Sequence, residues 1–135
     1  LVFNVEEFGI SNCQAPDFPL GWFRARIAEV KRLQPFFYGD FYPLTPFTYS
    51  PDAWSAFQLL DSARQAGAVL AFRRAESVMT RAAFQLQGLD PDKTYRFECA
   101  DSSAVWTATG AELMRAGLPV EAATPRSSRL LFYTS

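Results

Sequence analysis

Tyr38, Asp40, Tyr42 and Trp54 are the side chains best suited to hold a ligand in this sequence: rings that can lie against the C–H face of a sugar stand beside a carboxylate that can take its hydroxyls. All four fall in one stretch, FFYGDFYPLTPFTYSPDAW, residues 36–54. The competing reading of the same residues is packing, because bulky rings dominate core and interface burial. Asp40 after Gly39 also suits a turn fixed by its own side chain. Elsewhere the chemistry is sparse. Histidine is absent and cysteine occurs only at Cys13 and Cys99, which leaves no cluster of soft metal ligands. Ser-His and Cys-His nucleophile pairs are excluded by the same absence. No metal and no cofactor is expected, and carboxylates are the only remaining candidates for catalysis. Asp90 and Asp92 lie in a DPD turn, and the adjacent Glu6 and Glu7 would point to opposite faces of a strand. Both pairs are expected in turn or solvated roles.

The elements around these residues follow from periodicity. LVFNV, residues 1–5, reads as a buried strand, and the chain then turns loop-like to about Phe18. From Pro19 to Gln34, Leu20, Phe23, Ile27, Val30 and Leu33 recur at spacings of three and four, which predicts an amphipathic helix of about four turns. Asp17 is its candidate N-cap, Pro19 suits its first turn, and Pro35 is expected to stop it. In residues 36–54, Pro43, Pro46 and Pro51 remove backbone donors, and neither period is sustained; an ordered connector is expected.

After the connector the period changes to two. Residues 53–60, 67–74, 80–87, 94–100, 104–109 and 129–134 read as short strands separated by turn-rich pieces. Alternation groups Leu70, Phe72, Phe84, Leu86, Tyr95 and Phe97 as inward-facing, with Arg81 and Arg96 outward. The expected fold is mainly β, an antiparallel β-sandwich preceded by one amphipathic α-helix. Gly67 is available for a positive φ in the first turn, and GLDPDK forms a turn between the third and fourth strands. Residues 110–122 read as an irregular excursion or an extra edge strand, with at most a turn of helix at 111–115.

Thirteen basic residues oppose fourteen acidic ones, with no basic stripe, so the footprint of a nucleic-acid binder is missing. No run of about 18 apolar residues exists, so no membrane span is expected. The compartment is not written in the composition, and a cytoplasmic setting is the expectation. Cys13 and Cys99 read either as a disulfide or as two small buried apolar residues.

YGDFYPLTP, DAWSAFQL, GAVLAFRR, LQGLDPDKTYRF, TGAELMRAGLPV and LLFYTS, in that order, resemble the C-terminal end of melibiase-type α-galactosidases, glycoside hydrolase family 36. The resemblance spans roughly residues 19–135. It implies that a catalytic (β/α)8 barrel, carrying the aspartates that cleave the α-galactoside, precedes an antiparallel sandwich. Residues 1–46 would then be the end of the barrel plus the aromatic connector, and residues 47–135 the accessory sandwich. The rings of residues 36–54 would fill the joint between the two. The family's catalytic segments have no matching positions here, so no catalytic residue is carried over and this chain alone is expected to be inactive. A retaining glycosidase needs two carboxyl groups about 5 to 5.5 Å apart, for which the sequence offers no credible pair. The expected function is that of a non-catalytic accessory domain packed on the barrel. The alternative is an independent carbohydrate-binding module. The expected partners are the barrel, a second copy of the chain, and carbohydrate.

Overall fold

The computed structural model describes residues 17–135. The expected first strand, Glu6, Glu7 and Cys13 lie outside the described residues. The chain divides into two units, Leu1–Pro35 and Phe36–Ser135.

In the first unit the helix α1 spans Leu20–Leu33, as the spacing predicts. Its start differs from expectation. Pro19 itself is the N-cap, with φ −75° and ψ 65°, and no side chain caps the helix. Instead, the Leu20 amide donates to the Phe18 carbonyl at 2.7 Å. Pro35 does not stop the winding either. The α-helix gives way after Leu33 to a 3-10 turn, Gln34–Tyr38, in which Pro35 stands near the start, where no donor is required of it.

The second unit is an antiparallel sandwich. The six expected strands are all present, as β2 (Trp54–Asp61), β3 (Ala66–Arg73), β4 (Arg81–Phe84), β5 (Thr94–Cys99), β6 (Val105–Thr109) and β8 (Ser127–Thr134). Two further strands complete it: β1 (Asp40–Pro43) and β7 (Leu118–Glu121). One sheet runs β1-β2-β3-β8-β5-β6, and β4 pairs with β7 in a two-stranded ribbon. The connector is thus part strand. β1 joins the sheet ahead of residue 47, where the sandwich was expected to begin, and Pro43 is tolerated because β1 is an edge.

Residues 110–121 are also more regular than expected. Helix α2 spans Gly110–Arg115 and leads directly into β7. A capping box starts it: the Thr109 hydroxyl accepts from the Glu112 amide at 3.2 Å, and the Glu112 carboxylate accepts from the Thr109 amide at 2.9 Å.

The core lies between the sheet and the ribbon. Phe84, Leu86, Leu118 and Val120 meet Leu60, Val69, Ala71, Tyr95, Phe97, Leu131 and Tyr133. Phe84, Leu86, Tyr95 and Phe97 face inward as expected, and Arg81 and Arg96 are exposed. For β3 the assignment reverses: Val69 and Ala71 face the ribbon, while Leu70 and Phe72 lie on the other face of the sheet. That outer face is apolar as well. Phe72 stacks with Phe57 at 6.2 Å between ring centroids, and Phe57 meets Phe41 of β1 at 5.4 Å.

Gly67 serves by its size rather than by a positive φ. A methyl group there would stand 2.0 Å from the Leu59 carbonyl oxygen and 2.5 Å from the Tyr133 hydroxyl. The turn's positive φ falls on Gln65, at 49°.

Candidate functional site

The four proposed ligand residues occupy different surroundings. Tyr38, at the end of the 3-10 turn, is 94% exposed, and Asp40, opposite Leu60 at the sheet edge, is exposed too. Tyr42 points the other way from Phe41 and packs half-buried against the core. Its hydroxyl crowds the backbone at Gly88, whose φ of +67° and lack of a side chain both suit this approach. Trp54 packs on Phe84 at 6.0 Å, and its Nε1 donates to the Met79 carbonyl at 3.0 Å. Tyr42 is paired with Gln58, four residues along β2 from Trp54, which is about 13 Å at about 3.3 Å per residue. Tyr42 and Trp54 are therefore rings of the sandwich interior, and Tyr38 and Asp40 are surface groups at its edge. Phe47 and Tyr49 are also exposed, meeting each other edge-on at 5.0 Å.

Two polar networks inside the sandwich escaped the sequence reading. Gln58, fully buried, donates through Nε2 to the Gln87 carbonyl and the Tyr133 hydroxyl, both at 2.9 Å, and accepts from the Gln87 amide at 2.8 Å. The Tyr133 hydroxyl donates in turn to the Leu59 carbonyl at 3.0 Å. Burial pushes the Tyr133 phenol far above its ordinary range, an effect that the hydrogen bond from Gln58 only partly offsets. In the second network the Asp90 amide donates to the Tyr95 hydroxyl at 2.9 Å, and that hydroxyl donates to Gln65. Burial raises the Tyr95 phenol as well. Asp90 Oδ1 accepts from the Asp92 amide at 3.1 Å, which is the turn chemistry expected of DPD.

Arg73 is a buried guanidinium bound wholly by carbonyls. Nη2 donates to Ser77 at 2.7 Å, Nε to Ser77 at 3.2 Å, and Nη1 to Ala122 at 2.9 Å and Ala123 at 2.5 Å. It ties the β3–β4 loop to the segment after β7. The only signal in the sequence was an arginine closing an apolar strand.

Beyond the ribbon the inner face of the sheet is only partly covered. An open groove of about 370 Å³ is floored there by Cys99, Trp106, Arg129 and Leu131, closed at one end by Ser102 and Ala104, and walled by Pro119, Val120 and Glu121. Among the described residues no group of three or more histidine, cysteine, aspartate or glutamate side chains could hold a metal ion. Nor, among those residues, is any helix long and apolar enough to cross a membrane.

Residues 54–132 match the model of the glycosyl hydrolase family 36 C-terminal domain. The chain belongs to that family. The match runs from the first residue of β2 almost to the end of β8, so this C-terminal domain comprises the sandwich without its edge strand β1. Among solved structures, the crystal structure of the α-galactosidase from Lactobacillus brevis is similar, with a TM-score of 0.68 and 18% identity. The similarity covers 90% of this chain and 17% of that one. The chain thus spans about a sixth of its relative's length, and the likeness is one of fold. No curated protein matches this chain.

Proposed function

We propose that this chain is the non-catalytic accessory sandwich of an α-galactosidase-like glycoside hydrolase, packed against the catalytic barrel of its parent. Residues 1–46 are then the end of the barrel and the aromatic connector, whose strand β1 pairs onto the edge of the accessory domain of residues 47–135. The observation that carries the docking role is the row of rings at the β1 edge. Tyr38, Phe41, Phe47 and Tyr49 are exposed within a dozen residues, and Phe41 continues into the ring ladder of Phe57 and Phe72 on the sheet's outer face. Exposed rings at that density are costly in water and suit an interface. Family membership supports the choice of partner, because the matching model is that of a glycosyl hydrolase C-terminal domain.

Two measurements test the proposal. The purified chain should hydrolyse neither aryl α-galactosides nor related aryl glycosides; turnover that survives removal of host enzymes would overturn its non-catalytic role. In the full-length parent, Tyr38→Ser with Phe41→Ser should lower the melting temperature. Unchanged stability of that variant would remove the docking role. Asp40→Asn in the parent should leave turnover near that of the unmodified enzyme.

A further inference from the structure

We propose that the open groove floored by Trp106 and Arg129 binds a small neutral saccharide, at a site separate from Tyr38, Asp40, Tyr42 and Trp54. The proposal stands independently of the barrel docking above.

The ring supplies the platform. Trp106 lies opposite Phe97 across the β5–β6 pair and stacks on it at 5.5 Å with only 13° between planes. Phe97 is fully buried and Trp106 is not, so Trp106 is the outer member of the stack, and it lines the groove. The negative face of an indole attracts the polarised C–H bonds on one side of a sugar ring. Arg129 shares the inner face with Leu131 and Tyr133 through the two-residue period of β8. Its Nη1 donates to the Ser128 carbonyl at 2.9 Å, and the guanidinium has further N–H groups to offer.

The opposite wall decides what kind of ligand fits. Pro119, Val120 and Glu121 are consecutive, and side chains of consecutive strand residues alternate, so β7 meets the groove along its edge. β4 occupies the other edge. The Ala122 amide donates to the Thr80 carbonyl at 2.9 Å, which fixes the phase of the ladder. Ala122, Val120 and Leu118 turn their polar groups toward β4, and Pro119 and Glu121 turn theirs toward the groove. Pro119 has no N–H, so this edge presents two carbonyls and a single amide. A strand of another chain needs alternating donors and acceptors, and proline on an edge is a recognised block to such pairing. A polyhydroxylated ligand has no such requirement. Its hydroxyls donate to the carbonyls of Pro119 and Glu121 and accept from Arg129 while its apolar side rests on Trp106. The volume lies within the range of small-molecule sites and suits one or two sugar rings.

The test is a 1H–15N NMR titration of the chain with D-galactose, D-glucose, D-mannose and melibiose, each to about 50 mM, well above the Kd of ~1 mM expected of an open site. At least one sugar should shift the Trp106 indole signal and the amides of Ser102, Ala104, Glu121 and Arg129 in a saturable way. Arg129→Gln should weaken that binding about tenfold, the loss of a charged hydrogen bond. Trp106→Ala should abolish it, but that variant also removes a ring from the Phe97 stack, so Arg129→Gln with its shift dispersion retained is the decisive variant. Absence of shifts at the groove with all four sugars overturns the proposal, as does an Arg129→Gln variant that binds as well as the unmodified chain. Shifts centred on Tyr38, Asp40, Tyr42 and Trp54 overturn it in favour of the β1 edge. Saturable shifts of the groove amides by an extended apolar hexapeptide, with the sugars inert, overturn it in favour of strand addition.

Discussion

The Tyr133 hydroxyl reaches the Leu59 carbonyl at 3.0 Å even though the two residues belong to strands separated by β3. Gly67, paired with Leu60 on one side and Tyr133 on the other, leaves the gap that this contact fills. Three strands are thus pinned at one point by a missing side chain and one phenol. Gly67→Ala must push a methyl group into backbone that cannot swing aside, and a loss of about 3 kcal/mol is expected, at the upper end for overpacking. Tyr133→Phe should cost about 1–3 kcal/mol by leaving buried polar partners unmet. Chemical denaturation measures both.

The same phenol sets an alkaline limit. The folded pKa of Tyr133 is raised above its unfolded value near 10, so its contribution is fully present below about pH 10 and is lost as pH rises beyond it. Tyr95 shifts in the same direction. Stability followed by circular dichroism should therefore fall above pH 10, and the fall should be shallower in Tyr133→Phe.

At the acid end the capping box titrates. Hydrogen bonds from the Thr109 amide and hydroxyl hold the Glu112 carboxyl below its ordinary range. Its contribution is present above the unfolded pKa of roughly 4.3 and disappears as pH falls through the lower folded value. The stability gap between the unmodified chain and Glu112→Ala should be open at pH 7 and closed by about pH 2, measured by urea denaturation at each pH.

Arg73 satisfies three carbonyl-bearing residues in two loops far apart in sequence. Arg73→Met fills the space but leaves those carbonyls without donors, so a loss of about 3 kcal/mol or more is expected. Phe84→Ala should cost a comparable 3 to 5 kcal/mol through the cavity it opens. Thermal unfolding of the two variants checks both, and hydrogen exchange should show loop 74–80 opening in Arg73→Met alone.

The exposed rings of the β1 edge should drive self-association when no barrel covers them. Sedimentation at high micromolar concentration is expected to show a dimer, the simplest closed arrangement. Phe37→Asp with Phe47→Asp should return it to monomer, since both rings are exposed and neither belongs to the core.

Much of this molecule was written in local pattern. Turn residues and two-residue alternation placed the six expected strands, and three- and four-residue spacing placed α1, because burying one face imposes those periods on any sequence. The capping box was legible in principle, as Thr109 followed by Glu112. The inward face of β3 was not legible. Ala68, Val69, Leu70 and Ala71 are all buried, so a strand apolar on both faces carries no alternation to read. Arg73, the one residue that breaks the run, misleads, because a charge suggests solvent and its carbonyl partners at Ala122 and Ala123 lie about fifty residues away.

For the candidate sites the division is sharper. The sequence by itself determined family, six of the eight strands and the absence of histidine chemistry, since these depend on residue type and order along the chain. Only the tertiary structure decided that Tyr42 and Trp54 turn into the sandwich while Tyr38 and Asp40 stay on its edge. It alone brought Trp106, Pro119 and Arg129, from three separate strands, around one groove. Strand order and the short second sheet fix those proximities, and pairing between distant segments leaves no periodic trace in the segments themselves.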